Sequence, residues 1–175
     1  VCARTQSSPA PGRGRALQRQ VLTGYPDDSG LTEGLHRTIQ ACAGREEKRP
    51  LTFRDLQGSD PDDPLVSLRL VSTDLSASRP VVLPPGPPGP KEQPYLFERG
   101  EFERLFPDAV VEHLIGNGKP CSETPDGRPL YELPQLDLPV VVAARLSLSF
   151  PVLMETVPLW KKDDPASEPV CHTMS

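Results

Sequence analysis

Seven consecutive positions, Pro84 to Pro90, hold five prolines and two glycines. Proline lacks the amide donor and glycine raises the entropic cost of ordering, so this run can form neither helix nor central strand. It reads as an exposed loop, and regular elements must be sought on either side of it. With 23 prolines and 13 glycines in 175 residues, the whole chain approaches the low-complexity range of about 25–30%. Leu, Val, Phe and Ile nevertheless fill about a quarter of the positions, above the roughly 20% below which a packed core fails. A core threaded by long loops is expected.

On the N-terminal side, Val1 to Asp28 is rich in Ser, Pro, Gly and Arg and reads as a flexible entry stretch. Leu31, Leu35, Ile39 and Cys42 then recur at helical spacing, with Ser29 as N-cap and Gly44 as stop. Thr52 and Asp55 have the spacing of a capping box, which predicts a short helical turn over Leu51 to Leu56 closed by Gly58. Ser59 to Pro64 is an acidic linker. Its Asp60, Asp62 and Asp63 do not make a calcium loop, because Leu65 and Val71 stand where a glycine and a glutamate are required. From Leu65, the residues Val66, Leu68 and Leu70 alternate with Ser67 and Arg69, and Val81 to Leu83 follows as a second β-prone run. That pattern predicts a β-hairpin.

Beyond the Pro-rich loop, Glu101 to Phe106 reads as helical. Asp108 is placed to cap a second helix with Val110, Val111, Leu114 and Ile115 on its apolar face and Gly116 at its end. Asp126-Gly127 is a turn signal. Asp137 to Trp160 is ambiguous by propensity: Val140, Val141 and Val142 favour a strand, whereas Leu138, Val141, Val142, Arg145 and Leu146 fit one helical face.

A net charge of -5 and a pI near 5.2 give no electrostatic reason to bind nucleic acid or an anionic membrane. The longest apolar stretch, Leu138 to Ala144, is far short of the roughly 18 residues of a membrane span. Arg4, Arg13, Arg15 and Arg19 precede no apolar segment of the signal-peptide kind. Cys2, Cys42, Cys121 and Cys171 contain no C-x-x-C pair and read as free thiols, and His36, His113 and His172 add no zinc spacing. No cofactor and no metal are expected.

The string Asp137 to Leu153, with its Ser149-Phe150-Pro151 turn, resembles the signature of the patatin-like phospholipase family, where it is helical. Leu68 to Pro84 is similar to that family's strand-turn-strand, with Arg69, Thr73-Asp74-Leu75 and Arg79-Pro80 in place and Ser78 standing where glycine is usual. Gly30 to Ile39, Leu51 to Gly58, and Phe97 to Ile115 with Leu105-Phe106-Pro107-Asp108 resemble elements of the larger bacterial members. The resemblance implies a partial three-layer α/β/α sandwich with Pro-containing insertions, residues 29–175 forming a middle-to-late part that is incomplete at both ends. It further implies a longer parent that hydrolyses acyl esters of lipids through a serine and an aspartate, with lipid substrate and peripheral membrane contact as partners and a cytoplasmic or peripheral membrane location.

The family's Gly-x-Ser-x-Gly nucleophile turn is not spelled in this sequence, and neither is its Asp-Gly-Gly or Asp-Gly-Ala triplet. Asp126-Gly127-Arg128 precedes the signature and lacks the third small residue. Ser147 and Ser149 match the structural helix end, and Cys171 to Ser175 resembles the approach to the triplet. No catalytic role is therefore assigned to any residue. The alternative expectation is a non-catalytic patatin-like or Pro-rich protein-interaction module, with the Pro84 to Pro90 loop read by an SH3-type groove.

Overall fold

In the computed structural model, which describes residues 30–58, 66–86, 93–148, 155–163 and 166–174, the capping box is closed on both sides. The Thr52 side chain accepts from the Asp55 amide and the Asp55 carboxylate accepts from the Thr52 amide, opening helix α2 (Phe53–Gln57). Gly58 ends it at φ 75°, a conformation that strains any side chain. Ahead of α2 lies α1 (Leu31–Cys42), capped by Gly30; Ser29, the expected cap, lies outside the described residues. So do the entry stretch 1–28, the acidic linker's Asp60, Asp62 and Asp63, positions 87–90 of the Pro-rich run, and Ser149 to Pro151.

The buried face of α1 differs from the apolar one expected. Cys42 is exposed, Leu35 and Ile39 are partly buried against the core, and His36 and Gln40 are buried. Hydrogen bonding explains this rotation. Gln40 Nε2 donates to Glu46 O (2.7 Å) and Arg49 O (2.6 Å), its Oε1 accepts from Leu51 N (2.8 Å), and His36 Nε2 meets Glu47 O at 2.8 Å. The loop after α1 thus satisfies its backbone groups on helical side chains.

The expected hairpin forms, with strands that start later than Leu65: β1 (Leu70–Asp74) pairs antiparallel with β2 (Arg79–Leu83). Its alternation keeps the expected phase, with Leu68 and Leu70 packed against the core, but continues inward with polar residues. Ser72 and Asp74 face the core, where Ser72 Oγ donates to Leu146 O (3.0 Å), while Val71 and Val82 stand opposite one another and are 58% and 52% exposed. The turn between the strands holds Ser78 at φ 50°, a left-handed position disfavoured for any residue with a Cβ. Exchanging Ser78 for glycine is expected to raise stability by about 0.5–1 kcal/mol. The measurement is the urea midpoint at constant slope; a midpoint that stays put or falls would show the turn indifferent to the change.

After the Pro-rich run come β3 (Leu96–Glu98), α3 (Arg99–Glu103) and α4 (Asp108–Asn117). Helix α3 is shorter than the span expected over Glu101 to Phe106, and its cap is Glu98, whose carboxylate accepts from Gly100 N and Glu101 N. In α4, Pro107 is the cap and Asp108 the first helical residue. Val110, Val111 and Leu114 are buried as expected, but the helix runs past Gly116 to end at Gly118. A Cβ on Gly118 would lie 2.8 Å from Leu114 O and 2.9 Å from Glu132 O, so close backbone packing requires glycine there.

Strands β4 (Pro120–Glu123) and β5 (Pro129–Glu132) follow, joined by the Asp126-Gly127 turn with Gly127 at φ 79°. The ambiguous valine run is a helix, α5 (Val140–Ser147), in which Val140 to Ala143, Arg145 and Leu146 are all buried. A helix apolar nearly all round has no sharp periodicity to read. Finally, β6 (Val157–Lys161) and β7 (Val170–Met174) form a second hairpin.

The protein is mixed α/β. The seven strands of the described residues form one sheet in the order β2-β1-β7-β6-β3-β5-β4, with every neighbouring pair antiparallel. The five helices of the described residues share one apolar cluster with the sheet face bearing Leu83, Phe97, Leu159 and Met174. By strand alternation, Leu96, Leu130, Trp160 and Cys171 make a smaller cluster on the opposite face. Among the described residues, no helix is long and apolar enough to cross a membrane.

The approach to α5 is tied to α2. Phe53 N donates to Leu138 O (3.2 Å), Arg54 N to Leu136 O (2.8 Å) and Val140 N to Leu51 O (2.8 Å). Arg54 also forks onto Asp137, both contacts at 2.7 Å. The hydrogen bond from Arg54 holds the Asp137 carboxyl below its ordinary value, against an opposing push from burial. A carboxyl depressed on folding adds stability above its unfolded value and loses it as pH falls through the folded one. The native chain is therefore expected to lose stability more steeply below about pH 5 than an Arg54→Ala variant. Urea unfolding across a pH series checks this; parallel acid limbs would remove the effect.

Candidate functional site

Asp74 closes β1 with a fully buried side chain on the helix-covered face. A buried carboxylate needs partners that replace water, and four segments supply them. Oδ1 accepts from Ala77 N (3.0 Å), in the turn after β1. Oδ2 accepts from His172 Nδ1 (2.9 Å) on β7 and from the Tyr95 hydroxyl (3.3 Å) just before β3, with Arg79 Nε of β2 at 3.9 Å. Because the carboxylate can only accept, the hydrogen in this contact is carried by His172 Nδ1.

Tyr95 is the hub of the surrounding contacts. Its hydroxyl accepts from Arg79 Nη2 (3.3 Å), its ring lies 4.7 Å beneath Lys161 Nζ, and His172 packs edge-on at 6.5 Å between centroids. Burial pushes the Tyr95 phenol above its ordinary value, with Arg79 opposing the shift and Asp74 adding to it. The phenol is thus kept as a neutral donor to Asp74. Chemically, the group orients one imidazole and knots β1, β2, β7 and the segment before β3 together.

Beside this knot a cavity of about 230 Å³ opens between β2 and the segments before β3 and after β5. Pro80, Pro85, Pro94, Tyr95 and Leu133 line it, together with Arg79. A second polar group lies on the other side of β3. Arg128 donates to Glu98 (2.8 Å) and to Asp126 (3.0 Å), while Trp160 Nε1 donates to Glu101 (2.9 Å). Burial pushes the Glu101 carboxyl up, against the pull of Trp160 and Arg128. Here the polar groups cap α3 and brace the β4–β5 turn.

The three histidines lie in separate places. His36 serves the loop after α1, His113 Nε2 meets Asp137 O at 3.0 Å, and His172 joins Asp74. Among the described residues, no group of three or more His, Cys, Asp or Glu is placed to hold a metal ion. Ser147 ends α5. The free-thiol expectation holds for Cys42 and Cys121 and is corrected for Cys171, which is disulfide-bonded. Sequence reasoning missed the pairing of Asp74 with His172 because 98 positions separate them. The available signal was Ser72 and Asp74 two apart in a strand, a polar pair on one face.

No protein-family profile and no solved structure matches the chain. It is 40% identical over 137 residues to a protein of Rhizobium meliloti (strain 1021) named "RpoH suppressor", the match covering 74% of this chain and 20% of that protein. The chain thus spans about a fifth of the length of the relative it matches. This comparison corrects the expected description of the protein as a patatin-type hydrolase, phospholipase or serine esterase of lipid degradation. The relative is named as a suppressor of RpoH, not as a hydrolase or lipase.

Proposed function

We propose that this chain is a non-catalytic interaction module within a longer protein of the RpoH-suppressor kind, and that the cavity beside β2 receives a short apolar segment of a protein partner. Cavity size carries the reading. About 230 Å³ is below the roughly 300–1,000 Å³ of sites that enclose a small molecule, and suits one or two side chains. Proline and tyrosine walls with Arg79 at hand fit such an insertion. The likeness over 137 residues supports a shared role with the longer relative. The resemblance to patatin-like domains enters this proposal as architecture alone: helices cover one sheet face here, and the remainder of the longer protein would supply the second helical layer of a three-layer sandwich.

The test uses the full-length protein carrying Val82→Glu, a change at an exposed position that lines the cavity. Suppression of RpoH in cells is expected to be lost while the melting temperature is unchanged. Full suppression by the variant would overturn the proposal. So would acyl-ester hydrolysis by the native protein that the same substitution abolishes.

A further inference from the structure

We infer that the tip of the β1–β2 hairpin is a flap over the cavity, and that Asp74 is its latch. The two hairpins of this half of the sheet are internally well paired, β1 with β2 from Leu70↔Leu83 to Asp74↔Arg79 and β6 with β7 from Val157↔Met174 to Lys161↔Val170. They meet each other in strand register at the single pair Asp74↔Met174. The seam is closed instead by the contacts of the turn: Asp74 to His172 and Tyr95, Leu75 N to Thr173 O (2.9 Å), and Thr173 N to Ser76 Oγ (3.1 Å).

The base of the hairpin is fixed differently. Leu83 and Val81 are buried in the core and Ser72 is bonded to Leu146 O of α5, whereas Leu75 to Ser78 are exposed. Stability therefore falls from base to tip, the distribution that permits local opening. Arg79 and Pro80 form the tip end of the cavity wall that continues through Val81, Val82, Pro85 and Gly86, and Tyr95 belongs both to the facing wall and to the latch. Releasing Asp74 from His172 and Tyr95 frees the tip and moves the Arg79–Pro80 end of that wall, so the cavity widens at this end without disturbance of the core. This device is independent of what occupies the cavity.

Hydrogen exchange followed by mass spectrometry on the whole chain tests the latch with two mild variants, Tyr95→Phe and His172→Gln. Each removes one arm of Asp74 and leaves the hairpin sequence intact. Losing one such hydrogen bond is expected to speed exchange of amides between Thr73 and Val81 about tenfold, while amides of α5 and β6 keep native rates. Faster exchange spread evenly over all elements would mean general destabilisation and overturn the latch. Unchanged exchange at the tip in both variants would overturn it equally.

Discussion

Replacing Phe97 with alanine is expected to cost about 3–5 kcal/mol of stability. Phe97 is fully buried at the centre of β3, its ring 4.9 Å from Phe102 and 5.7 Å from Tyr131, with Phe102 in turn 5.0 Å from Phe106. Truncation removes the ring's transfer energy and leaves a hole that the stacked neighbours cannot fill without leaving their rotamers. The position matters beyond its area. Strand β3 meets β6 in register at one pair, Leu96↔Trp160, and the ring cluster braces β3 against α3 and β5. Urea unfolding should give a much lower midpoint. A loss below about 1 kcal/mol, within the range of ordinary substitutions, would show that the cluster repacks freely.

Gln40→Leu should lower stability by roughly 3 kcal/mol, although it puts an apolar residue at a buried helical position. The side chain is 1% exposed and serves Glu46 O, Arg49 O and Leu51 N together. Leucine leaves two carbonyls and one amide at part-buried positions without their side-chain partner, and a group left unsatisfied away from water costs about 1–3 kcal/mol. Gln40→Glu should be no better, since a carboxylate turns two donations into repulsions between acceptors. Thermal melts of both variants check this. A leucine variant as stable as the native chain would mean that the loop finds water instead.

The elements of the fold differ in how far the sequence discloses them. The Thr52–Asp55 box was legible because both of its bonds span three residues and need nothing distant. Ser78 was legible as an oddity, since it stands where glycine is usual, and the structure places it at positive φ. The helical state of Val140–Ser147 was not decided by propensity: with nearly every residue buried, the helix shows no polar face. Gln40 and His36 were missed because hydrophobic patterning counts a polar side chain as a surface one, although hydrogen bonding can bury it. The end of α4 was misplaced at Gly116 because Gly118 is required by a backbone oxygen of β5, which no local pattern reveals. For the candidate site the gap was wider, since Asp74, Tyr95 and His172 come from separate stretches that only the sheet order brings together.

Pro80 sits in β2, the outermost strand beside β1. A residue without an amide hydrogen is tolerated in such a strand because it has one neighbour rather than two. The same gap leaves any foreign strand that approaches this border one donor short. An exposed sheet border is a standing invitation to self-association, and proline here acts as a guard against fibre-like growth while the flank stays open to a partner that binds by side chains.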